Sequence, residues 1–276
     1  MNKILNNLRH RLTNRTTKMV LLSTVLFLTL CSCSKSEDAR VYQAKLINKL
    51  VDVAADGSVA TTSFTYDTNK IVSIDSAGKH SIFTYTNDLI TRIVTTDNVN
   101  LSQSILNYSY TNGQLTKVVS SDNYVMNFTH NDDGTVLYER LTTDANHNVI
   151  TIYSGKMFFQ NGNLVRDERT KGGTATTIVS KEIVSYQYDT KNNPLGNIIG
   201  YSKLLDNFKC VSVNNITRTQ EEARVEHLDT DQIESSALLY VSANQYDDAG
   251  YPTVITSEKS FFTEQAHHVK SQLTYN

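Results

Sequence analysis

The chain has 276 residues and a formal net charge of −2, from 26 Lys and Arg against 28 Asp and Glu. Two prolines and 39% hydrophobic residues exclude a disordered chain. The first 32 residues hold five of the bases and no acid; without them 21 bases face 28 acids, a charge of −7, which excludes the basic surface that a nucleic-acid partner requires.

Lys3, Arg9, Arg11, Arg15 and Lys18 all precede the first acid, Glu37. Met19 to Leu30 then runs for 12 residues without a charge, a length that suits a signal peptide and is short for a bilayer span. The run ends in Leu30-Cys31-Ser32-Cys33. This resembles the bacterial lipoprotein signal, in which a small residue precedes the cysteine that becomes the diacylglyceryl N-terminus. Ser32 is small and Leu30 is bulky, so Cys33 rather than Cys31 is the expected lipidation site, the alternative being an ordinary cleaved signal with incidental cysteines. Residues 1–32 are then the signal peptide and 33–40 a lipidated N-terminus with an acidic tether. Ser34-Lys35-Ser36-Glu37-Asp38 resembles the surface-export signal of Bacteroidota lipoproteins. That implies membrane attachment through the lipidated cysteine, at the outer membrane and on its exposed face rather than its periplasmic one. Cys210 is left as the one other cysteine of the mature chain, which reads as a small buried hydrophobe.

From residue 41 to 276 the pattern has period two and reads as a single repeat-built β domain. Asp56-Gly57, Asn112-Gly113, Asp133-Gly134, Asn161-Gly162 and Gly172-Gly173 mark turns between alternating stretches. An aromatic stands just before a turn at Tyr66, Tyr85, Tyr110, Phe159, Tyr188 and Tyr246, His130 replaces it once, and Tyr275 begins the pattern again. Two positions earlier stand Phe64, Phe83, Tyr108, Phe128, Met157 and Tyr186, on the same strand face. After the turns the apolar signal resumes at Ile71 and Ile74, Ile90 and Ile93, Leu115 and Val118. A lone hairpin cannot bury such a row, so neighbouring hairpins must join. The expected fold is mainly all-β, a long, twisted or curled antiparallel meander of 12–16 strands that average about 6–8 residues.

Tyr66-Asp67, Tyr188-Asp189 with Asn193-Pro194, and Tyr246-Asp247 with Gly250-Tyr251-Pro252 resemble degenerate YD (RHS-type) repeats. The layout over about residues 31–276 is similar to a family of Bacteroidota lipoproteins built from such hairpins. The resemblance implies architecture and anchoring, and carries no activity, catalytic residue or cofactor. Most units lack the Asp after the aromatic, and nothing corresponds to the toxin or autoprotease segments of large RHS proteins.

Asn193-Pro194 followed by Leu195, Ile198, Ile199, Leu204 and Leu205 predicts one short helix near 194–206, despite Gly196 and Gly200. Residues 209–235 read as irregular. The seven histidines are scattered, His267-His268 point to opposite faces of a strand, and Asn131-Asp132-Asp133-Gly134 reads as a turn, since Arg140 stands where a calcium loop needs Glu. No metal, cofactor or catalytic residue is therefore expected. Asp75-Ser76-Ala77 resembles the Bacteroidota O-glycosylation site, making Ser76 a candidate for modification in an exposed turn. The function expected first is a non-enzymatic, lipid-anchored binding or scaffolding protein with an envelope protein or a glycan as partner. Second is a carrier or sensor of an apolar ligand on the concave face, the helix forming its lid. Third is a hydrolase whose acids converge only in three dimensions.

Overall fold

The computed structural model describes residues 45–171, 177–207, 211–261 and 264–276, with side chains outside 259–268. Sixteen strands follow one another. They are β1 (Ile47–Ala54), β2 (Val59–Asp67), β3 (Lys70–Ser76), β4 (Lys79–Thr86), β5 (Leu89–Asp97), β6 (Ser102–Thr111), β7 (Gln114–Ser120) and β8 (Tyr124–His130). They continue with β9 (Val136–Thr143), β10 (Val149–Gln160), β11 (Asn163–Lys171), β12 (Ile178–Tyr188), β13 (Ile216–His227), β14 (Gln232–Tyr246), β15 (Pro252–Phe261) and β16 (Glu264–Tyr275). Each pairs antiparallel with the next, and β1 pairs with β16, so the meander closes into a barrel. Closure removes the two bare edges that an open sheet of this width exposes.

The all-β antiparallel meander is as expected, and its curl is complete. The strands are longer than expected: β10, β12, β13 and β14 have 12, 11, 12 and 15 residues. The stretch 209–235 is a correction, because it contains β13 and the start of β14; their polar, charged residues masked the alternation. The helix near 194–206 is a second correction. Asn193 does cap the backbone N–H of Leu195 at 2.8 Å, yet only a 3-10 turn, Tyr201–Lys203, follows. Gly200 has φ +74 there, and a Cβ on it would lie 2.6 Å from the Asp88 carbonyl oxygen. The left-handed backbone stops a helix from propagating.

One barrel end is built from a repeated device. The turns that follow even-numbered strands lie at this end, as do the start of β1 and the end of β16. Opposite the turn-flanking aromatic, the next strand carries one extra residue: Val72 against Tyr66, Thr91 against Tyr85, Thr116 against Tyr110, Val165 against Phe159, Thr217 against Tyr188, Thr253 against Tyr246 and Asn48 against Tyr275. The pair β8–β9, with His130, has no such bulge. A bulge frees ladder groups, and side chains take them. The hydroxyls of Thr91, Thr116, Thr217 and Thr253 donate to the carbonyls of Thr84, Ser109, Gln187 and Gln245. The next aromatic along the chain reaches back as well. Tyr66 donates to the Ile47 carbonyl, Tyr110 to Ile90, Tyr188 to Leu164 and Tyr275 to Pro252, while Tyr85 accepts from the Ile71 N–H.

The residues expected on one buried face are there. Phe83, Tyr108, Phe128 and Met157 are buried, and Phe64 and Tyr186 are half-buried against the same core. The core lines the inner wall from β3 to β11.

Candidate functional site

The core wall is covered from within by residues 193–207 and 211–215. Ile198, Tyr201, Leu204, Leu205 and Val211 are buried in the same cluster as the wall, and the Tyr201 ring lies 6.1 Å from that of Phe83. The segment is tied to turns around the barrel mouth. Ile199 N–H donates to Asn69, Asn197 Nδ2 to the Lys45 carbonyl, Asn192 N–H to Gly250 and Val213 N–H to Gly162. Leu164 N–H donates to the Ser212 hydroxyl. Tyr108 donates to Asp206 at 3.0 Å. Burial pushes the Asp206 carboxyl above the usual range, against that hydrogen bond. The segment is thus a floor across one end of the lumen.

Above the floor the inner wall turns polar. Strand register places Tyr138, Arg140, Tyr153, Asp167, Arg169 and Glu182 on the inner face. Asp167, only 1% exposed, accepts from the Tyr138 hydroxyl at 2.5 Å and from Arg169 at 2.9 Å. Arg169 also reaches Tyr138 through Nε at 3.1 Å and lies 3.6 Å from Glu182. Burial raises the Asp167 pKa, with Tyr138 and Arg169 opposing. Burial works against the charge of Arg169, but Tyr138, Asp167 and Glu182 outweigh it and its pKa rises. Gly155 makes room for this cluster, since a Cβ there would sit 2.4 Å from the Tyr138 ring. Beside it, Arg140 stacks on Tyr124, its guanidinium carbon 3.7 Å from the ring centroid, and faces Tyr153 at 6.0 Å.

Toward the far end the lining becomes hydroxylic. Thr62 and Ser76 bond each other at 2.7 Å, Ser81 and Thr95 at 2.9 Å, Ser242 and Ser257 at 3.0 Å, and Ser271 reaches Asp52. The inward positions Ala60, Ala223 and Ser236 are exposed, so this half of the lumen is unfilled. A sixteen-stranded barrel is wide enough for that.

The outer wall is charged on β11 and β13, while Ile82, Val119, Leu137 and Val241 stand exposed on the outward faces of β4, β7, β9 and β14. The outward face of β13 carries Arg218, Gln220, Glu222, Arg224 and Glu226, joined in part by Arg224–Glu226 at 2.9 Å and Gln220–Glu222 at 2.7 Å. That of β11 carries Arg166, Glu168 and Thr170.

Cys33, Cys31 and Cys210 lie outside the described residues. Ser76 ends β3 rather than standing in the turn, with its hydroxyl bonded to Thr62. Asn131–Thr135 is a closed turn, Asn131 N–H donating to Thr135 and Asp133 accepting from it. No group of three or more metal-ligating side chains forms among the described residues. The Arg140 and Arg169 clusters went unnoticed in the sequence. Their signal is register: counting by twos from Val136 and Tyr138 puts Arg140 on an otherwise apolar face.

No protein-family model matches the sequence, and neither does any curated protein. The fold is similar to that of a porin-like protein from Bacteroides vulgatus ATCC 8482, with TM-score 0.53 and 13% identity, over 84% of this chain and 99% of the other. It is equally similar to a porin-like protein from Bacteroides uniformis ATCC 8492, with TM-score 0.52 and 12% identity, over 83% and 96%.

Proposed function

We propose that the chain is a lipid-anchored envelope protein of the non-enzymatic binding type, attached through Cys33 to the outer membrane on its surface face, with its ligand in the open half of the lumen. The observation that carries this reading is a lumen floored at one end and unfilled at the other. A transmembrane barrel meets lipid with an apolar outer band, and Arg or Lys on that face costs about 2–4 kcal/mol at the midplane. Outward faces such as those of β11 and β13 favour a barrel standing outside the bilayer, so membrane attachment rests on the acyl chains, at about 0.8 kcal/mol per buried methylene. The recurring tyrosine, bulge and turn support the kinship with YD-like hairpin lipoproteins. The apolar-carrier reading loses ground because floor residues already occupy the apolar wall.

Cys33→Ala is expected to release a folded barrel that stays monodisperse without detergent, whereas Cys31→Ala remains in the membrane fraction. Neither protein is expected to conduct ions in a planar bilayer. A Cys33→Ala barrel that requires detergent, or a steady conductance, overturns the reading in favour of a pore.

A further inference from the structure

Arg140 and Arg169 face the same lumen and are treated differently. Arg169 is matched by Asp167 and Glu182. Arg140 has no ion pair among the described residues, and its buried Nε has no hydrogen-bond partner. Arg140 is half-buried, and burying its Nε without a partner or counter-charge has a cost that the Tyr124 face, at 3.7 Å, offsets only in part. Stacking also fixes the plane of the guanidinium, which presents its terminal N–H groups as a fork suited to a planar oxyanion. Arg140 stands where the aromatic belt of Tyr124, Tyr138 and Tyr153 meets Ser120 and Thr142, whose hydroxyls bond the Asp122 N–H and the Asn123 carbonyl. Tyrosine rings and hydroxyls together suit a sugar, which offers an apolar ring face and many hydroxyl groups.

Building on the lumen-binding reading above, we propose that Arg140, stacked on Tyr124 and facing Tyr153, is the carboxylate-binding residue of a site for an acidic saccharide. Most inner acids are already engaged, Glu234 lying 4.0 Å from His227, and the inward Glu221 stands on β13, four strands from Arg140 on β9. Asp167 and Glu182 belong to Arg169, Asp97 faces Lys79 at 3.7 Å, and Asp52 is bonded to Ser271.

The test is calorimetric titration of the full lipidated protein in detergent with tetragalacturonate, cellotetraose and tetraglutamate. Tetragalacturonate is expected to bind, and Arg140→Met to weaken it by roughly 10–100-fold, the loss of charge-assisted hydrogen bonds. Arg140→Lys, which keeps the charge and loses the fork, is expected to fall between. The melting temperature of Arg140→Met is expected to match or exceed that of the wild type, which separates lost binding from lost folding. Equal tetragalacturonate affinity in wild type and Arg140→Met overturns the site, as does tetraglutamate binding in place of the sugar acid. Cellotetraose binding indifferent to Arg140→Met, with no tetragalacturonate binding, overturns the acidic site while leaving the lumen reading intact. Conductance in the bilayer assay overturns the lumen reading itself.

Discussion

Strand pair β8–β9 and the seven bulged pairs at the same barrel end differ by one residue, and that residue decides the chemistry of the next aromatic. After the bulges opposite Tyr275, Tyr66, Tyr85, Tyr110, Phe159 and Tyr246, the following side chain carries a polar head that bonds the bulged strand: Tyr66, Tyr85, Tyr110, His130, Tyr188 and Tyr275. After β8–β9, which has no bulge, the following aromatic is Phe159, without a hydroxyl. Tyr246 departs in another way, bonding Asp189 at the root of the floor segment. The hydroxyls are therefore backbone caps, placed where a bulge leaves a ladder group free, and the aromatic period is a structural one. The two walls differ as well. From β3 to β11 the floor end of the inner face is packed under the floor, while β14 presents Leu238 and Ser236 to a partly open lumen.

The largest effect is expected where wall and floor meet. Phe128→Ala should cost about 3–5 kcal/mol by urea unfolding, and Leu238→Ala on the open wall about 1 kcal/mol. Equal costs would mean that the open wall is packed in solution. Gly155→Ala should cost about 1–3 kcal/mol, because its Cβ would press on the Tyr138 ring and lie 2.6 Å from the Glu168 carbonyl. Tyr110→Phe removes the bond to Ile90 and should cost about 1 kcal/mol. The reciprocal Phe159→Tyr meets no bulge and should stay within about 0.5 kcal/mol. A stabilised Phe159→Tyr would break the capping account.

Much of this end was legible in the sequence, and one sign of it went unused. The apolar pairs Ile71 and Ile74, Ile90 and Ile93, Leu115 and Val118 stand three apart, where alternation demands two. That surplus is the bulge, and Thr91-Arg92 and Thr116-Lys117 mark its place. Closure was not legible, because nothing local distinguishes β1 and β16 from other strands. The floor misled for a physical reason: Asn193 and the spacing of Leu195, Ile198 and Leu205 satisfy helix rules, but Gly200 takes a left-handed backbone and passes so close to Asp88, 112 residues away, that a Cβ would not fit. β13 was missed because both of its faces are polar, outward in Arg218 to Glu226 and inward in Thr219 and Glu221.

The smallest effect contrasts the floor with the turns. Asp97, Asp133 and Asp144 accept hydrogen bonds from their own turns, which lower their pKa values. A carboxyl lowered in the folded state contributes stability above its unfolded value of 3.8, lost as pH falls through the folded pKa. Asp206 has the opposite sign. Burial raises its pKa, and its Oδ1 is buried without a partner. Between pH 3.8 and its folded pKa, the folded protein binds a proton that the unfolded chain has released. Its contribution is complete below 3.8 and drains away as pH rises through the folded pKa. Asp206→Asn keeps an acceptor for Tyr108 and removes the titration. Its urea midpoint should therefore change less between pH 4 and pH 7 than that of the wild type, while Asp144→Asn, at the open end, should leave that upper window unchanged. Parallel midpoint curves for wild type and Asp206→Asn would show that water reaches the floor and that Asp206 ionises there at no cost.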